Sequence, residues 1–357
     1  MVETLPEIPD YDNDEPVTTV SNTALPVVDL RDEPGRLQDR LRQVTHEVGV
    51  FYLTGHGVPA ALTARVLEGA RQLFALPQAD KDAIAMVHSP HFRGYTRMGG
   101  ELTAGEVDWR EEIDIGPDLA PAGGPGEPDY LRLQGPNQWP ASLPELSGII
   151  AEWDAALTAV ARTLLRHWAV SLGSPPDVFD SAFDGGTPAT IIKVVRYPAS
   201  GTRTQGVGPH KDGGVLTLLL VEPGSWGLQV REGRGAHRSG GWIDVPALDG
   251  AFIVNIGELL EVASGGYLQA TEHRVNLSHT TERISVPFIF NPRLDAQLPV
   301  LSLPPELAAH AGRHPDPSNP IFSVYGRNAW KSRLRSHPDV AAAHGYSPGA
   351  VGAALGG

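Results

Sequence analysis

Apolar residues recur along this chain with two periods, and the change from one to the other organises it. Between residues 35 and 48 the apolar set Leu37, Leu41, Val44 and Val48 has the spacing of one helix face, and Gly49 stands where a C-terminal cap would close the helix. A second helix is predicted over 59–76, with Val66, Ala70, Leu73 and Phe74 inward and Pro77 ending it. Leu146, Ile150, Trp153, Leu157, Val160, Leu164 and Trp168 mark a third, long helix whose wide apolar stripe is suited to support a sheet. Elsewhere the pattern is that of strands, short and bounded by Gly and Pro. They are predicted at 26–30 and 50–54, and then at 190–197, 215–221, 228–231, 242–245, 251–255, 271–277 and 284–290. Many short strands of this kind fit an antiparallel sandwich or jelly roll, whose open end is a usual place for a pocket.

Between these elements the pattern lapses. Residues 1–22 are acidic and proline-bearing and read as a flexible arm. Residues 93–116 are Gly-rich and dense in charge, including Glu101, Thr103, Asp108, Glu111 and Glu112, and 117–140 read as a long surface loop. The tail after Pro299 contains Phe322, Tyr325, Trp330, Lys331, Arg333 and Arg335, which read as a surface helix, with a lid over the pocket mouth as the alternative. The resulting division is an arm at 1–22, a mixed region at 23–142, the long helix and jelly roll at 143–298, and a tail at 299–357. No internal repeat is present.

Composition narrows the chemistry. With 357 residues, 41% of them hydrophobic, the chain can bury a substantial core. It has no cysteine, so a metal would have to use His and carboxylate ligands. A net charge of −14 argues against nucleic acid or an anionic membrane as partner, and no pattern specifies an oligomeric state. The start, Met1-Val-Glu-Thr, has neither a basic flank nor an apolar run, and no segment approaches a membrane span, so the expected location is cytoplasmic.

Candidate ligands lie at the head of the 215–221 strand. His210 and Asp212 stand two apart, and residues i and i+2 of a strand share a face. His273 lies within a later strand, and Arg283 and Ser285 follow, again two apart. The His-x-Asp pattern occurs twice more, as His314-Pro-Asp316 and His337-Pro-Asp339. In both the middle proline lacks the N–H that a strand ladder requires, so both read as polar surface turns. His56 reads as satisfying backbone groups in a turn. Two His and one carboxylate on one side of an ion, with the other side open, is the arrangement of a non-haem Fe(II) oxygenase. The carboxylate cluster in 93–116 reads as charge, not as a second metal site.

Several ordered motifs carry a resemblance over residues 24–292: Leu25-Pro-Val-Val-Asp-Leu30, Gly49-Val-Phe-Tyr-Leu-Thr-Gly-His-Gly-Val58, Arg93-Gly-Tyr95, Tyr197-Pro198, His210-Lys-Asp212, Gly227-Leu-Gln-Val230, Asn255-Ile-Gly257, His273-Arg-Val275 and Arg283-Ile-Ser-Val-Pro287. In these the chain resembles the 2-oxoglutarate and Fe(II)-dependent dioxygenases of the isopenicillin N synthase-like family. That family includes plant flavonoid dioxygenases and bacterial cephalosporin and ethylene-forming enzymes. The resemblance implies an α+β fold with a double-stranded β-helix (jelly-roll) core and flanking helices. It implies Fe(II) held by His210, Asp212 and His273, with 2-oxoglutarate and O2 as co-substrates. Arg283, Ser285 and Tyr197 would hold the distal carboxylate of 2-oxoglutarate. A small polar substrate would be oxidised by hydroxylation, desaturation or cyclisation, with release of succinate and CO2.

Two departures qualify the match. Plant members often carry Asn where this chain has Val195, so one amide contact is missing. The retained Asp212 argues against a halogenase, in which that carboxylate is replaced by a small residue. A 2-oxoglutarate-independent oxidase of the same fold is the first alternative, and a non-catalytic ligand-binding protein the second. For the substrate, Lys193 shares a strand face with Val195 and Tyr197 and is expected to look inward, where an ammonium needs a partner. Lys193 or Arg93 is expected to meet a substrate carboxylate, with Glu101 nearby adding the opposite charge. The competing expectation is that Lys193 pairs with a structural carboxylate such as Asp108 or Glu111.

Overall fold

The computed structural model describes residues 25–200, 205–233, 241–278, 280–312, 316–317 and 319–346. The arm expected at 1–22 lies outside them, as does His314. Strict alternation along the strand Arg283–Phe290 shows how the sheet is built: Ile284, Val286, Phe288 and Phe290 enter an apolar core, while Arg283, Ser285, Pro287 and Ile289 line a cavity on the other face. Its neighbours repeat the division. Leu216, Leu218 and Leu220 oppose Thr217 and Leu219, and Phe252, Val254 and Ile256 oppose Ile253 and Asn255.

These strands belong to an eight-stranded sheet in the order Val27–Asp29, Val50–Thr54, Phe252–Ile256, Leu216–Val221, Arg283–Phe290, Ile191–Tyr197, Glu111–Ile115, Gly94–Thr96. All pairings in it are antiparallel except that of Val27–Asp29 with Val50–Thr54. Four of the strands come from 23–142 and four from 143–298, so the two segments share one sheet. A four-stranded sheet, ordered Trp242–Asp244, Leu228–Arg231, His273–Asn276, Gln205–His210, faces it. Val207, Leu228, Val230 and Val275 of the small sheet meet Val50, Tyr52, Val195 and Ile253 of the large one in an apolar layer between them. This is the jelly-roll arrangement with helices on the outer face.

The helices Pro34–Glu47, Ala60–Ala75 and Glu145–Ser171 cover the large sheet, and the inward residues expected of each are buried. Trp153 and Trp168 are wholly enclosed there. Gly49 ends the first helix at φ +78°, its N–H reaching Val44 O at 3.0 Å. A Cβ at that position would stand 2.2 Å from Thr271 Oγ1, so both the left-handed backbone and the close packing require glycine. His56 accepts from the Val58 N–H at 3.2 Å and contacts Gly250 O at 3.1 Å, the backbone role expected of it.

Three local expectations change. Residues 93–116, read only as charged and Gly-rich, contribute two strands to the large sheet and the small hairpin Leu102–Thr103 with Glu106–Val107. Within 117–140 a 3-10 turn, Asp129–Leu133, buries Leu133. The tail helix Tyr325–Ser336 is not a plain surface helix. Trp330 packs edge-on against Phe92 at 5.8 Å and Tyr346 at 5.0 Å, and together with Leu334, Leu133, Met86 and Val340 it builds a small third core. Its other face walls the cavity. The stripe Tyr325, Trp330, Leu334 is too thin among charged neighbours to announce this from sequence.

The long helix is the main support of the sheet, so truncating its buried stripe should be costly. Leu164→Ala is expected to lower unfolding stability by about 2–5 kcal/mol. Urea denaturation checks this as a lower midpoint at unchanged slope.

Candidate active site

A cavity of about 1170 Å³ opens between the two sheets and is closed on one side by the tail helix. His210, Asp212 and His273 line it. The antiparallel register of Gln205–His210 with His273–Asn276 sets His273 directly opposite His210, with ring centroids 4.3 Å apart. Asp212 is not on the same strand as His210, as the i, i+2 argument assumed. The strand Gln205–His210 ends at His210, and Asp212 lies in the connection that crosses to the large sheet.

Asp212 is fixed from the large sheet instead. Its Oδ2 accepts from Thr217 Oγ1 at 2.5 Å and from Asn255 Nδ2 at 2.8 Å, and Thr217 and Asn255 are themselves a cross-strand pair. Its Oδ1 is left facing both imidazoles, 3.7 Å from each Nε2. Each ring Nδ1 meets a backbone carbonyl, Gly208 O at 2.9 Å for His210 and Thr271 O at 3.2 Å for His273. A carbonyl only accepts, so both Nδ1 carry the proton and both Nε2 lone pairs turn inward. Burial, and then the neighbouring His273, lower His210 to about 4, so its imidazole is neutral at ordinary pH. Burial would raise Asp212, but the two imidazoles and the two donors hold it below its ordinary value, and it is anionic. Two imidazole nitrogens and one carboxylate oxygen, all within 4.8 Å of one another, suit one divalent cation such as Fe(II) and leave its far side open.

Beside this group, the register pairs Arg283 with Tyr197 and Ser285 with Val195. The Arg283 guanidinium lies 4.9 Å over the Tyr197 ring, and its Nε and Nη1 are buried without a partner among the described residues. Burial pushes this guanidinium down from its ordinary value. Unpaired buried charge is costly, and a carboxylate would relieve it with charge-assisted hydrogen bonds. Ser285 lies on the same face and lines the same cavity. The orphaned donors therefore suit the distal carboxylate of a 2-oxo dicarboxylic acid.

Lys193 looks inward as expected, but its partners are neither Asp108 nor Glu111. It pairs with Glu112 at 2.7 Å, Glu101 at 3.0 Å and Asp114 at 3.3 Å. Period two explains the choice, since Glu112 and Asp114 face the cavity side of the neighbouring strand whereas Glu111 turns away to Lys81 and Arg196. Asp108 goes to Thr103 and Arg110. Burial alone would depress Lys193, but the three carboxylates carry it above its ordinary value. Arg110 bridges Glu101 at 2.5 Å and Glu112 at 3.2 Å, and its Nη1 lies 3.5 Å from Tyr197 Oη, so it links this network to the Arg283 side. Burial raises Glu112 well above its ordinary value, with Glu101 adding to that against the pull of Arg110. Glu101 is held well below its own value, because Arg110 and Lys193 overcome its burial.

The tail completes the network. Arg333 pairs with Asp114, and His337, expected in a surface turn, is 1% exposed with Nε2 3.4 Å from Glu101 Oε1. Glu101, Glu112 and His337 also converge closely, but Lys193 and Arg110 already fill that space with positive charge. Arg93 lines the cavity too, apart from these pairs. Sequence reasoning missed Arg110, Thr217, Asn255, Arg333 and His337 as members of the site. Asn255, inside Asn255-Ile-Gly257, and His337, inside the His337-Pro-Asp339 read as a surface turn, stood in patterns already singled out, while Thr217 lay in the predicted strand 215–221 and Arg333 was named in the tail without a site role.

The profile of a family described as the N-terminal region of the non-haem dioxygenase in morphine synthesis matches residues 25–142, and that of the 2OG-Fe(II) oxygenase superfamily matches 190–292. The chain is 33% identical over 347 residues to the 2-oxoglutarate-dependent dioxygenase frbJ of Dothideomycetidae sp. (strain 11243), covering 90% of this chain and 92% of that one. It is 32% identical to a homoarginine-6-hydroxylase of Glycine max, covering 74% and 81%. Among solved structures, JOX2 in complex with 2OG, Fe and JA superposes with a TM-score of 0.67 at 24% identity, covering 89% and 88%. A 2OG-Fe(II) oxygenase family protein from Caulobacter crescentus gives 0.70 at 24%, covering 88% and 99%.

Truncating any one of the three candidate ligands should remove tight Fe(II) binding. His210→Ala, Asp212→Ala and His273→Ala proteins are each expected to retain almost no Fe(II) after anaerobic loading and desalting, read as iron per chain. Asn255→Leu keeps all three ligands but releases Asp212 from one donor, and a loss of about 10–100-fold in Fe(II) affinity is expected.

Proposed function

Because the chain belongs to the 2OG-Fe(II) oxygenase superfamily, we propose that it oxidises a small, polar, amino-acid-like molecule, with Fe(II) held by His210, Asp212 and His273. It is an Fe(II)- and 2-oxoglutarate-dependent dioxygenase acting on a small molecule. When bound, Fe(II) with 2-oxoglutarate and O2 supplies a two-electron oxidation of the substrate, coupled to conversion of the oxo acid to succinate and CO2. The chain's own residues supply position and environment. Asp212 Oδ1 and the two Nε2 atoms present the ion with three fixed donors, and Thr217 and Asn255 keep the carboxylate from rotating. Arg283, with Ser285 and Tyr197 beside it, takes the distal carboxylate of 2-oxoglutarate. Val207, Leu219, Val230, Ile253 and Val275 give that end of the cavity an apolar lining, which excludes water around the co-substrate's methylene chain.

The observation that carries the substrate class is the cavity wall beyond this apolar end. Arg93, Glu101, Arg110, Lys193 and Arg333 all line it, each almost fully buried. An apolar substrate would desolvate these charges and return nothing, whereas a zwitterionic one offers partners for them. Relatives at 30–32% identity named as homoarginine-6-hydroxylases, from soybean, rice and Arabidopsis, act on an amino acid and favour the same class. Of the two cations weighed for the substrate carboxylate, Lys193 is already committed to three acidic partners, which favours Arg93. Placement within the isopenicillin N synthase-like branch, and a cytoplasmic location, belong to the same proposal. No helix among the described residues is long and apolar enough to cross a membrane.

The test is substrate-stimulated succinate release across L-amino acids, including L-homoarginine, set against apolar aromatic acids. Stimulation at least tenfold above the substrate-free rate by an amino acid supports the reading, and stimulation by the aromatic acids alone overturns it. Arg283→Ala should raise the 2-oxoglutarate KM by more than tenfold, since a charged hydrogen bond contributes about 1.5–3 kcal/mol. Lys193→Met leaves Glu101, Glu112 and Asp114 facing one another with one cation fewer, and a stability loss of about 3–5 kcal/mol is expected in urea unfolding.

A further inference from the structure

Two buried arginines meet at the far end of the cavity, and neither is fully paired. Arg93, immediately before the strand Gly94–Thr96, is 5% exposed. Its Nη2 donates to Leu133 O at 3.1 Å, its Nε has no partner, and it makes no ion pair with a carboxylate among the described residues. Space is kept for it: a Cβ at Gly116 would stand 2.3 Å from Arg93 Nη2. Arg333 reaches the same place from the tail helix. It is 6% exposed, with Nη1 on Asp114 and Nη2 without a partner. Tyr325, also buried and lining the cavity, lies within electrostatic reach of both guanidiniums.

The surrounding carboxylates are committed to cations other than Arg93. Asp114, the partner of Arg333, is shared with Lys193. Glu101, Asp108 and Glu112 are taken up by Arg110 and Lys193, and Asp114 by Lys193 and Arg333, so no carboxylate among the described residues is ion-paired with Arg93. Burial, with the charge of Arg333 added, lowers Arg93 to about 10, the cost of holding one cation against another out of water. A buried guanidinium with no carboxylate partner, beside a second whose Nη2 is unpaired, both lining one cavity, is a site for an oxyanion.

We propose that Arg93 and Arg333, with Tyr325 beside them, form a second anion site that binds the carboxylate of the prime substrate, separate from the Arg283 clamp. The site rests on the amino-acid reading above and deepens it. In the sheet the strand Gly94–Thr96 is three positions from Arg283–Phe290, which is roughly 14 Å at strand spacing, so one anion cannot serve both ends. Because Arg333 comes from the tail helix, substrate recognition depends on that helix being docked.

The test uses the full-length chain carrying Arg283→Met, so that the co-substrate clamp contributes nothing, with acetate as probe and acetamide as its uncharged control. Acetate is expected to raise Tm saturably while acetamide does not. Adding Arg93→Met should weaken the apparent acetate affinity at least tenfold, and adding Arg333→Gln, which keeps a donor toward Asp114, at least threefold. Equal shifts with acetate and acetamide, or an acetate effect that survives both substitutions, overturns the site. Turnover separates this result from the substrate class. An amino acid that drives succinate release with the same KM in wild-type and Arg93→Met proteins sinks the anion site and leaves the amino-acid reading standing. Acetate binding that requires Arg93, in a protein that no amino acid stimulates, keeps the site and sinks that reading.

Discussion

Asp212 stands where the chain leaves the four-stranded sheet for the eight-stranded one, and its two oxygens divide the work of that junction. Oδ2 is held by Thr217 and Asn255, a cross-strand pair of the large sheet, while Oδ1 faces His210 and His273, a cross-strand pair of the small one. The three candidate ligands therefore stay converged only while both registers hold. A slip of one residue in either sheet would turn a ligand or its support to the opposite face. The long helix and the first two helices matter to chemistry through this constraint, because they bury the face of the large sheet that keeps Thr217 and Asn255 in place.

Away from the junction, the cavity is organised by which buried charges are answered from within and which are not. Lys193 and Arg110 share Glu101 and Glu112 as ion-pair partners, Lys193 reaches Asp114 as well, and together these groups form a paired wall. Arg283 and Arg93 are incompletely satisfied, three strands apart, and each opens on the cavity. Burial makes an unpaired cation expensive, and that cost is recovered only when a ligand supplies the missing anion, which is how a site selects for charge. The tail takes part because Arg333 and His337 complete the wall from outside the jelly roll.

What was legible in the sequence followed from local period. Alternation placed Arg283 with Ser285 and turned Lys193 to the face of Tyr197, and helical spacing found all three supporting helices within a few residues of their ends. What was not legible depended on partners distant in the chain. The strand Gln205–His210 went unseen because Gly206, Gly208 and Pro209 break its apolar alternation, so Asp212 was assigned to a shared strand face instead of to its anchors Thr217 and Asn255. The direction of Lys193 was readable, but its three carboxylate partners come from a hairpin approach and a neighbouring strand some eighty or ninety positions earlier. Arg333 and His337 meet Asp114 and Glu101 over still longer separations, and nothing in the tail's own pattern points to them.

The central claim is that this seam holds the iron and that Arg283 holds the co-substrate beside it. The most direct measurement is succinate formation from 2-oxoglutarate by the purified full-length protein in air with Fe(II), followed in wild type and in Asp212→Ala. Succinate that accumulates with wild type, requires both Fe(II) and O2, and is absent with Asp212→Ala is the predicted result. Succinate formed equally well by Asp212→Ala, or without added Fe(II) in metal-stripped protein, would contradict the account.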